Sequence, residues 1–270
     1  MITQIETNDN VHSSHKQQQQ QQQQQHRHKS NQIRYSVILK YNPTVPKAGQ
    51  PTLITIKIIE NQTEKRVKQF DLLHEKLMHI IIVSEDFSYF SHIHPTFDDK
   101  EGTFTVSHQF PETGKYKIWV DFKPKDGNQT LVTIKLENMI GNAHHKPIRI
   151  TKERQYTKQI DENHKVELFI PKVIESNKLV NLTFIILDQN SNPITDLTPL
   201  MGAGGHSVII DSSLKEFLHV HPIEEVSSHW KGGPAISFNT VFPYRGLYKA
   251  WGQFQHQNVI ITADFVLEVV

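Results

Sequence analysis

Two stretches of this chain repeat one another, and this duplication limits the available folds more than any other feature of the sequence. Residues His79–Pro95 align without a gap on His206–Pro222, and Phe110–Phe122 align on Phe242–Phe254. The offset between the copies grows from 127 to 132 residues, so five residues were inserted between the two blocks. Two copies of roughly 105 residues indicate a tandem domain duplication and not a solenoid.

Each copy consists of short β-forming runs. β-branched and aromatic residues dominate segments such as Leu53–Ile59, Ile80–Val83 and Tyr116–Phe122, and clusters of Pro, Gly, Asn and Asp separate them. No stretch shows a sustained apolar period typical of a helix. About seven short strands in a copy of this length are typical of a sandwich domain. We therefore predict an all-β protein with two tandem Ig-like, or cupredoxin-like, β-sandwich domains.

Changes in composition predict the domain boundaries. Residues 1–32 contain few apolar side chains and include the polyglutamine run Gln17–Gln25, so burial could not offset the entropy of ordering this histidine-rich tail. We predict that the tail is disordered. The first domain is predicted to span 33–137, a polar and basic linker 138–160, and the second domain 161–270.

Composition also excludes several classes of protein. The chain has 29 Lys and Arg against 28 Asp and Glu, a net charge of +1, which argues against nucleic-acid binding. The absence of cysteine excludes a disulfide scaffold, an iron–sulfur cluster, thiolate zinc and a cysteine nucleophile. No apolar run approaches the roughly 18 residues of a membrane span. Met1–Asn10 is polar and acidic, unlike a secretory signal, and the sequence leaves localisation open.

The chain has 17 histidines, and six of them occupy matched positions in the two copies: His79, His92 and His94, and His206, His219 and His221. Alternation along a strand places His92 and His94 on the same face. If the chain reverses between Glu85 and Asp86, His79 lies directly opposite His92, with His94 on the diagonal. The second copy gives the same geometry. The spacing therefore predicts three converging imidazoles in each domain.

Three clustered neutral imidazoles suit a borderline cation such as Cu(II), Zn(II), Ni(II) or Fe(II). A blue-copper centre is excluded because it needs a cysteine thiolate, which leaves a type-2-like copper site or a zinc site. Water or one oxygen ligand would complete the coordination. The candidate fourth ligands are not shared by the two copies, since Gly205, Gln253 and His256 replace Met78, Asp121 and Pro124.

Other motifs have structural explanations. The histidines without counterparts are expected at the surface: His74, His108, His144, His145, His164 and His229. The Phe-Pro-x-x-Gly-x-Tyr segments make a tight entry into a strand, after which the aromatic side chains alternate. Four aromatic residues that follow are expected in the core or in a pocket wall: Tyr116, Trp119, Tyr248 and Trp251.

Around these motifs the sequence resembles a family of bacterial and archaeal proteins, described as YtkA-like, that are associated with heavy-metal handling and are usually exported. The resemblance covers residues 35–270 and rests on Leu73–His79, Ser84–Pro95, Leu200–Pro222 and Gly246–Gln257, including both H-x-H-P motifs. It implies a tandem Ig-like sandwich with a copper-related role. The polyglutamine start departs from the family pattern.

The sequence thus predicts a non-enzymatic metal-binding protein that acts in metal handling or resistance. Copper is the expected ion, with zinc as the other candidate, and a metal-handling protein is a further expected partner. Two alternatives stay open. One is a metal-free Ig-like interaction or scaffold module, whose histidines brace the sandwich. The other is a cupin-type metal-dependent oxygenase, in which Glu224, or Asp98 or Asp99 in the first copy, would join the H-x-H pair.

Overall fold

A computed structural model describes residues 34–73, 75–141 and 150–270. All elements within these ranges are β-strands. The chain divides into two compact units with the boundary between Arg149 and Ile150. The predicted tail, residues 1–32, lies outside the described residues. Along the part of the chain that is described, no helix has the length and apolarity needed to cross a bilayer.

The first domain contains two antiparallel sheets. Its strands in chain order are β1 (Tyr35–Asn42), β2 (Pro51–Glu60), β3 (Lys65–Arg66), β4 (Phe70–Asp71), β5 (Met78–Ser84), β6 (Phe90–Ile93), β7 (Thr96–Asp98), β8 (Thr103–Gln109), β9 (Tyr116–Pro124) and β10 (Thr130–Leu136). One sheet has the order β1-β2-β8-β7, with β3 paired to β2. The other has the order β10-β9-β5-β6, with β4 paired to β9.

The second domain repeats this arrangement with fewer short strands. Its strands are β11 (Thr157–Gln159), β12 (His164–Phe169), β13 (Leu179–Asp188), β14 (His206–Asp211), β15 (Phe217–Val220), β16 (Ala235–Val241), β17 (Gly246–His256) and β18 (Val259–Val269). The two sheets have the orders β11-β12-β13-β16 and β15-β14-β17-β18. β5, β6 and β9 of the first domain thus correspond to β14, β15 and β17 of the second.

The core of each domain lies between its two sheets. Strand alternation sends every second side chain inward, which places Ile54, Ile56 and Ile58 of β2 opposite Ile80 and Ile82 of β5 in one continuous apolar cluster. In the second domain, β13, β14, β17 and β18 contribute the equivalent cluster, including Phe184, Ile209, Phe254 and Phe265. The predicted pair of tandem β-sandwiches is therefore confirmed.

The aromatic motifs close one corner of each sandwich. Tyr116 and Tyr248 are each 1% exposed, and their hydroxyl groups donate to the carbonyl oxygens of Glu112 and Tyr244 over 2.7 and 2.9 Å. This contact, four residues back along the chain, is a tyrosine corner. Both tyrosines belong to the core clusters, as expected. Trp119 and Trp251 are also buried, but on the opposite faces of β9 and β17 and outside those clusters.

The predicted linker, residues 138–160, includes both residues outside the described part of the chain and a β-strand. Residues 142–149 lie outside the described part of the chain, whereas β11 lies within the predicted linker and pairs with β12. The first strand of the second sandwich thus begins before residue 161. The predicted limits 33–137 and 161–270 otherwise stay a prediction.

Candidate metal centres

The first histidine of each cluster begins, or nearly begins, a strand in the middle of a sheet. Met78, Ile80 and Ile82 of β5 point into the core, so His79 lies on the opposite face of the same sheet. His206 begins β14 and is placed in the same way. Both side chains are 0% exposed. Burial on both faces fixes the register of these strands, because a slip of one residue would send the imidazole into the core.

The hairpins β5–β6 and β14–β15 keep the histidines of each trio on the predicted face of the sheet. The predicted pairing of their residues was wrong by two positions. Ile81, not His79, pairs with His92, and Val208 pairs with His219. The expected β-turn forms, since the Phe87 N–H donates to the Ser84 carbonyl over 2.9 Å. Phe87 then adopts φ +60°, and pairing resumes only at Tyr89, whose carbonyl oxygen accepts from the Ser84 N–H, so the loop Glu85–Ser88 has two residues more than predicted. A shift of two residues preserves the faces, and the three histidines still converge.

In the first domain, three imidazole nitrogens lie in a compact triangle. The Nδ1 atom of His79 lies 3.0 Å from Nε2 of His92 and 3.0 Å from Nε2 of His94, and the latter two atoms are 3.2 Å apart. If an ion sat about 2.0–2.1 Å from each nitrogen, these spacings would correspond to N–metal–N angles of about 90–105°. Such angles leave the other side of the ion open for water or a further ligand.

A backbone carbonyl fixes the orientation of the first imidazole. The Nε2 atom of His79 lies 2.8 Å from the carbonyl oxygen of Leu73. A carbonyl oxygen only accepts, so Nε2 carries the proton and Nδ1 presents its lone pair to the triangle. A ligating histidine typically donates its other ring N–H in this way.

No set of neutral tautomers turns all three contacts of the triangle into hydrogen bonds. With Nδ1 of His79 as an acceptor, one proton on His92 or His94 leaves two lone pairs facing each other. Two protons, one on each ring, face each other instead across 3.2 Å. A shared cation removes this conflict, since all three lone pairs can then point at it.

The second domain repeats the arrangement with slightly wider spacing. The Nε2 atom of His206 donates to the carbonyl oxygen of Leu200 over 2.9 Å. Ring centroids of His206, His219 and His221 lie 4.8–5.8 Å apart, compared with 4.7–5.3 Å in the first domain. In each trio, the potential ligand atoms lie within 4.8 Å of one another. The structure therefore brings together all six histidines that the sequence singled out, in two groups of three.

The two anchoring carbonyls belong to matching tight turns. Leu73 and Lys76 exchange two backbone hydrogen bonds, and Leu200 and Ala203 do the same. The second turn uses positive φ at both central residues, Met201 (49°) and Gly202 (74°), as a type I′ turn requires. The sequence did not predict this role, because a backbone carbonyl carries no side-chain signal. The available signal was a leucine six residues before the first histidine in both copies.

Side chains next to the two trios differ. His79 pairs across the sheet with Asp121, and His206 pairs with Gln253 at the same place. Asp121 is 2% exposed and accepts from Nε2 of Gln129 at 2.8 and 3.0 Å. Burial raises the pKa of Asp121 to about 7. The first cluster thus has an ionisable carboxyl group beside it, and the second has a neutral amide.

Two other candidate positions are explained by packing. Met78 belongs to the core of the first domain and points away from the trio. At the equivalent Gly205, an added Cβ would lie only 2.7 Å from Cδ1 of Phe254 and 2.8 Å from the Gln253 carbonyl. Glycine is needed there because the strand passes directly against β17.

The expectation that unmatched histidines lie at the surface was wrong for His108 and His164. His108 is 7% exposed beside Phe110, and burial lowers its pKa to about 4. His164 is 5% exposed and contacts His256. His108 lies within β8 and His164 begins β12, and strand alternation turns both side chains inward. An expectation based on residue type alone does not take this alternation into account. His229 is exposed as expected, and His74, His144 and His145 lie outside the described residues.

Solved structures resemble this chain only distantly. The Escherichia coli adhesin FdeC is 13% identical, with 87% of this chain and 64% of that chain covered and a TM-score of 0.26. Red sea bream transglutaminase is 8% identical, with coverages of 88% and 31% and a TM-score of 0.25. MtrC from Shewanella baltica OS185 is 8% identical, with coverages of 87% and 69% and a TM-score of 0.25. The chain spans less than two thirds of the first two proteins.

No curated protein matches the chain. A family model described as a domain of unknown function, DUF8832, matches it twice, over residues 29–138 and 158–270. The two matches coincide with the two sandwiches and together cover most of the chain. The chain therefore belongs to the DUF8832 family and carries two copies of its domain.

Proposed function

We propose that this protein binds one transition-metal ion in each domain, through His79, His92 and His94 in the first and His206, His219 and His221 in the second. The observation that carries the proposal is the triangle of ring nitrogens 3.0, 3.0 and 3.2 Å apart, which no neutral set of protons satisfies. The carbonyl anchor behind His79, repeated behind His206, supports the same conclusion.

Copper is the ion that this ligand set favours. Imidazole nitrogen suits copper, zinc, nickel and iron, and the Irving–Williams order places Cu(II) first among divalent ions at such a site. Zinc is the second candidate, because three histidines and one open position also form a common zinc arrangement. The resemblance to YtkA-like proteins, which are associated with heavy-metal handling, also favours copper.

The arrangement fits reversible binding and handling of the ion. The first histidine of each trio is buried and anchored, whereas the other four are only partly buried. An ion held there has one protected side and one side that water or a partner's ligand can reach. We infer a role in metal buffering, delivery or resistance, with a metal-handling protein as the partner and no catalysed reaction.

The two alternatives differ in what they require. A cupin-type oxygenase needs a carboxylate among the ligands, but within the described residues neither trio includes Glu224, Asp98 or Asp99. That alternative therefore gains no support. A metal-free scaffold module needs only the two sandwiches, and it is the outcome to be expected if no ion binds.

Metal loading of the full chain tests the proposal. The protein is dialysed against Cu(II) or Zn(II) with a weak competing ligand that strips the tail histidines, and bound metal is measured by elemental analysis. The variant with His92→Ala and His94→Ala should lose one ion per chain, and the variant with His219→Ala and His221→Ala should lose another. The exposed His229→Ala is the matched control and should lose none.

An unchanged metal content in both double variants would overturn the proposal and favour the metal-free module. Melting curves with and without metal give an independent readout. A ligand that binds only the native state must raise the melting temperature. The rise should disappear when both trios are substituted.

A further inference from the structure

A second type of histidine contact closes one end of the second sandwich. His164 begins β12 in one sheet, and His256 ends β17 in the other. Their ring nitrogens, Nε2 of His164 and Nδ1 of His256, lie 2.9 Å apart. Neither residue belongs to the six histidines discussed above, and the pair bridges the two sheets of its own domain.

A carboxylate lies behind each ring. Nδ1 of His164 is 2.9 Å from both carboxylate oxygens of Asp161, and Nε2 of His256 is 3.0 Å from Oδ1 of Asp196. Each outer nitrogen must donate its proton, since an ionised carboxylate only accepts. In neutral rings the two inner nitrogens then carry lone pairs that face each other across 2.9 Å.

Such a contact requires a cation between the rings. One proton would give an imidazole–imidazolium pair between two carboxylates. A metal ion about 2.0–2.1 Å from both nitrogens would bind with an N–metal–N angle of about 90°. Carboxylates that accept from the outer ring N–H are also the usual support of metal-bound histidines.

The surroundings provide space for the rest of a coordination sphere. The pair lines a cavity of about 470 Å³ together with oxygen-bearing side chains, including Asn163, Thr195 and Gln257. The imidazoles themselves are largely buried, with 6% of the His164 side chain and 12% of the His256 side chain exposed, whereas Asp161 and Asp196 reach solvent. Water in the cavity can therefore complete the coordination of an ion.

We propose that His164 and His256 form a third cation site, distinct from the two histidine trios, that takes a divalent transition-metal ion with two imidazole ligands and water. The angle of about 90° suits square-planar or octahedral ions, above all Cu(II) and Ni(II), better than tetrahedral zinc. Because only two protein ligands are present, this site binds more weakly than the trios. It does not depend on the function proposed for them.

The first domain shows which residues occupy the positions of His164 and His256 when no imidazole pair is present. Tyr35 begins β1 and pairs with Glu60, the last residue of β2, just as His164 begins β12 and pairs with Asp188, the last residue of β13. Pro124 ends β9 at the position that His256 holds in β17. The same fold thus closes this end without an imidazole pair, and His164→Tyr is a substitution that the architecture already accommodates.

The test uses the full chain with His92→Ala, His94→Ala, His219→Ala and His221→Ala, which removes both trios, and Cu(II) as the probe. Electron paramagnetic resonance should show one Cu(II) per chain with two coupled nitrogens, and adding His164→Tyr should abolish that species. Equal signals with and without His164→Tyr would overturn the proposal. Melting curves confirm that each variant is folded.

A second measurement avoids the substitutions. In the unsubstituted protein, ring-nitrogen NMR should show the His164 and His256 signals broadening as Cu(II) is added beyond the amount that fills the trios. If both rings instead keep one shared proton at saturating Cu(II), the pair holds a proton and the proposed metal site does not exist.

Discussion

His79 and Leu73 are joined by a hydrogen bond in which the imidazole Nε2 donates to the carbonyl oxygen over 2.8 Å, and His206 and Leu200 repeat it over 2.9 Å. The bond sets the tautomer, and therefore which nitrogen of the first histidine faces the other two. Each centre thus depends on a tight turn as well as on three side chains.

The turn that carries the Leu200 carbonyl should be sensitive to substitution at Gly202. Gly202 has φ +74°, where an added Cβ costs about 1 kcal/mol. Gly202→Ala should therefore destabilise the second domain by about that amount and weaken metal binding by the second trio only. Chemical denaturation and metal titration measure the two effects. In the matching turn Glu75 has φ +63°, so Glu75→Gly should leave the first trio at least as tight.

Metal should be released as pH falls from about 7 to 5. Each imidazole must be deprotonated to coordinate, and the ordinary histidine pKa lies near 6.5, so protons compete increasingly below that value. With three histidines per ion, affinity should fall at least tenfold per pH unit in this range. A titration with a zinc-responsive dye measures the release. Retention of metal at pH 5 would indicate that carboxylates, not imidazoles, dominate the site.

Asp121 should make the first centre tighter than the second. Cross-strand neighbours have Cβ atoms about 4.5–5.5 Å apart, so a carboxylate at Asp121 lies close enough to His79 to favour a bound cation. Asp121→Asn should weaken the first centre several-fold and leave the second, which has Gln253 there, unchanged. The effect should grow with pH, because the pKa of Asp121 is about 7 and its charge appears above that value. Equal affinities before and after the substitution would show that Asp121 has no such role.

His108 should make the first domain lose stability in mild acid. Burial lowers its pKa from 6.5 to about 4, so between these values the unfolded chain binds a proton that the folded domain does not. Stability therefore rises with pH across this window, by about 3 kcal/mol in total for a shift of this size. Hydrogen exchange of the β8 amides, followed from pH 4 to 7, measures it.

Thr240 holds the equivalent position in the second domain, which makes His108→Thr the matched variant. It should flatten the pH dependence of the first domain, although the smaller side chain lowers stability at every pH. A slope that survives in this variant would assign the acid sensitivity to another group.

The sequence predicted the parts of this structure that depend on repeated patterns. Strand alternation and the matched copies were sufficient to predict two sandwiches and to place His92 beside His94. The exact pairing required the backbone conformation of Phe87 and Leu214, which adopt positive φ (60° and 57°) although neither is a glycine. Residue type gives no warning of that, and the predicted register was therefore two residues out.

The buried histidines show a second limit. His108 continues the inward row of Phe104 and Val106 in β8, and His164 precedes the inward row of Val166 and Leu168 in β12. Their burial therefore follows from strand alternation, and the residue type alone points the other way. The contact between His164 and His256 joins residues 92 positions apart in different sheets. Since the first copy has Tyr35 and Pro124 at these places, comparison of the two copies could not have indicated the pair either.

X-ray absorption of the protein loaded with two equivalents of zinc tests the central claim most directly. The account predicts three imidazole nitrogens and one oxygen around each ion at about 2.0–2.1 Å. The imidazole contribution should fall when both trios carry their alanine substitutions. An average of fewer than three imidazoles per zinc in the unsubstituted protein would contradict the three-histidine centres. So would a sulfur neighbour, which could come only from methionine because the chain has no cysteine.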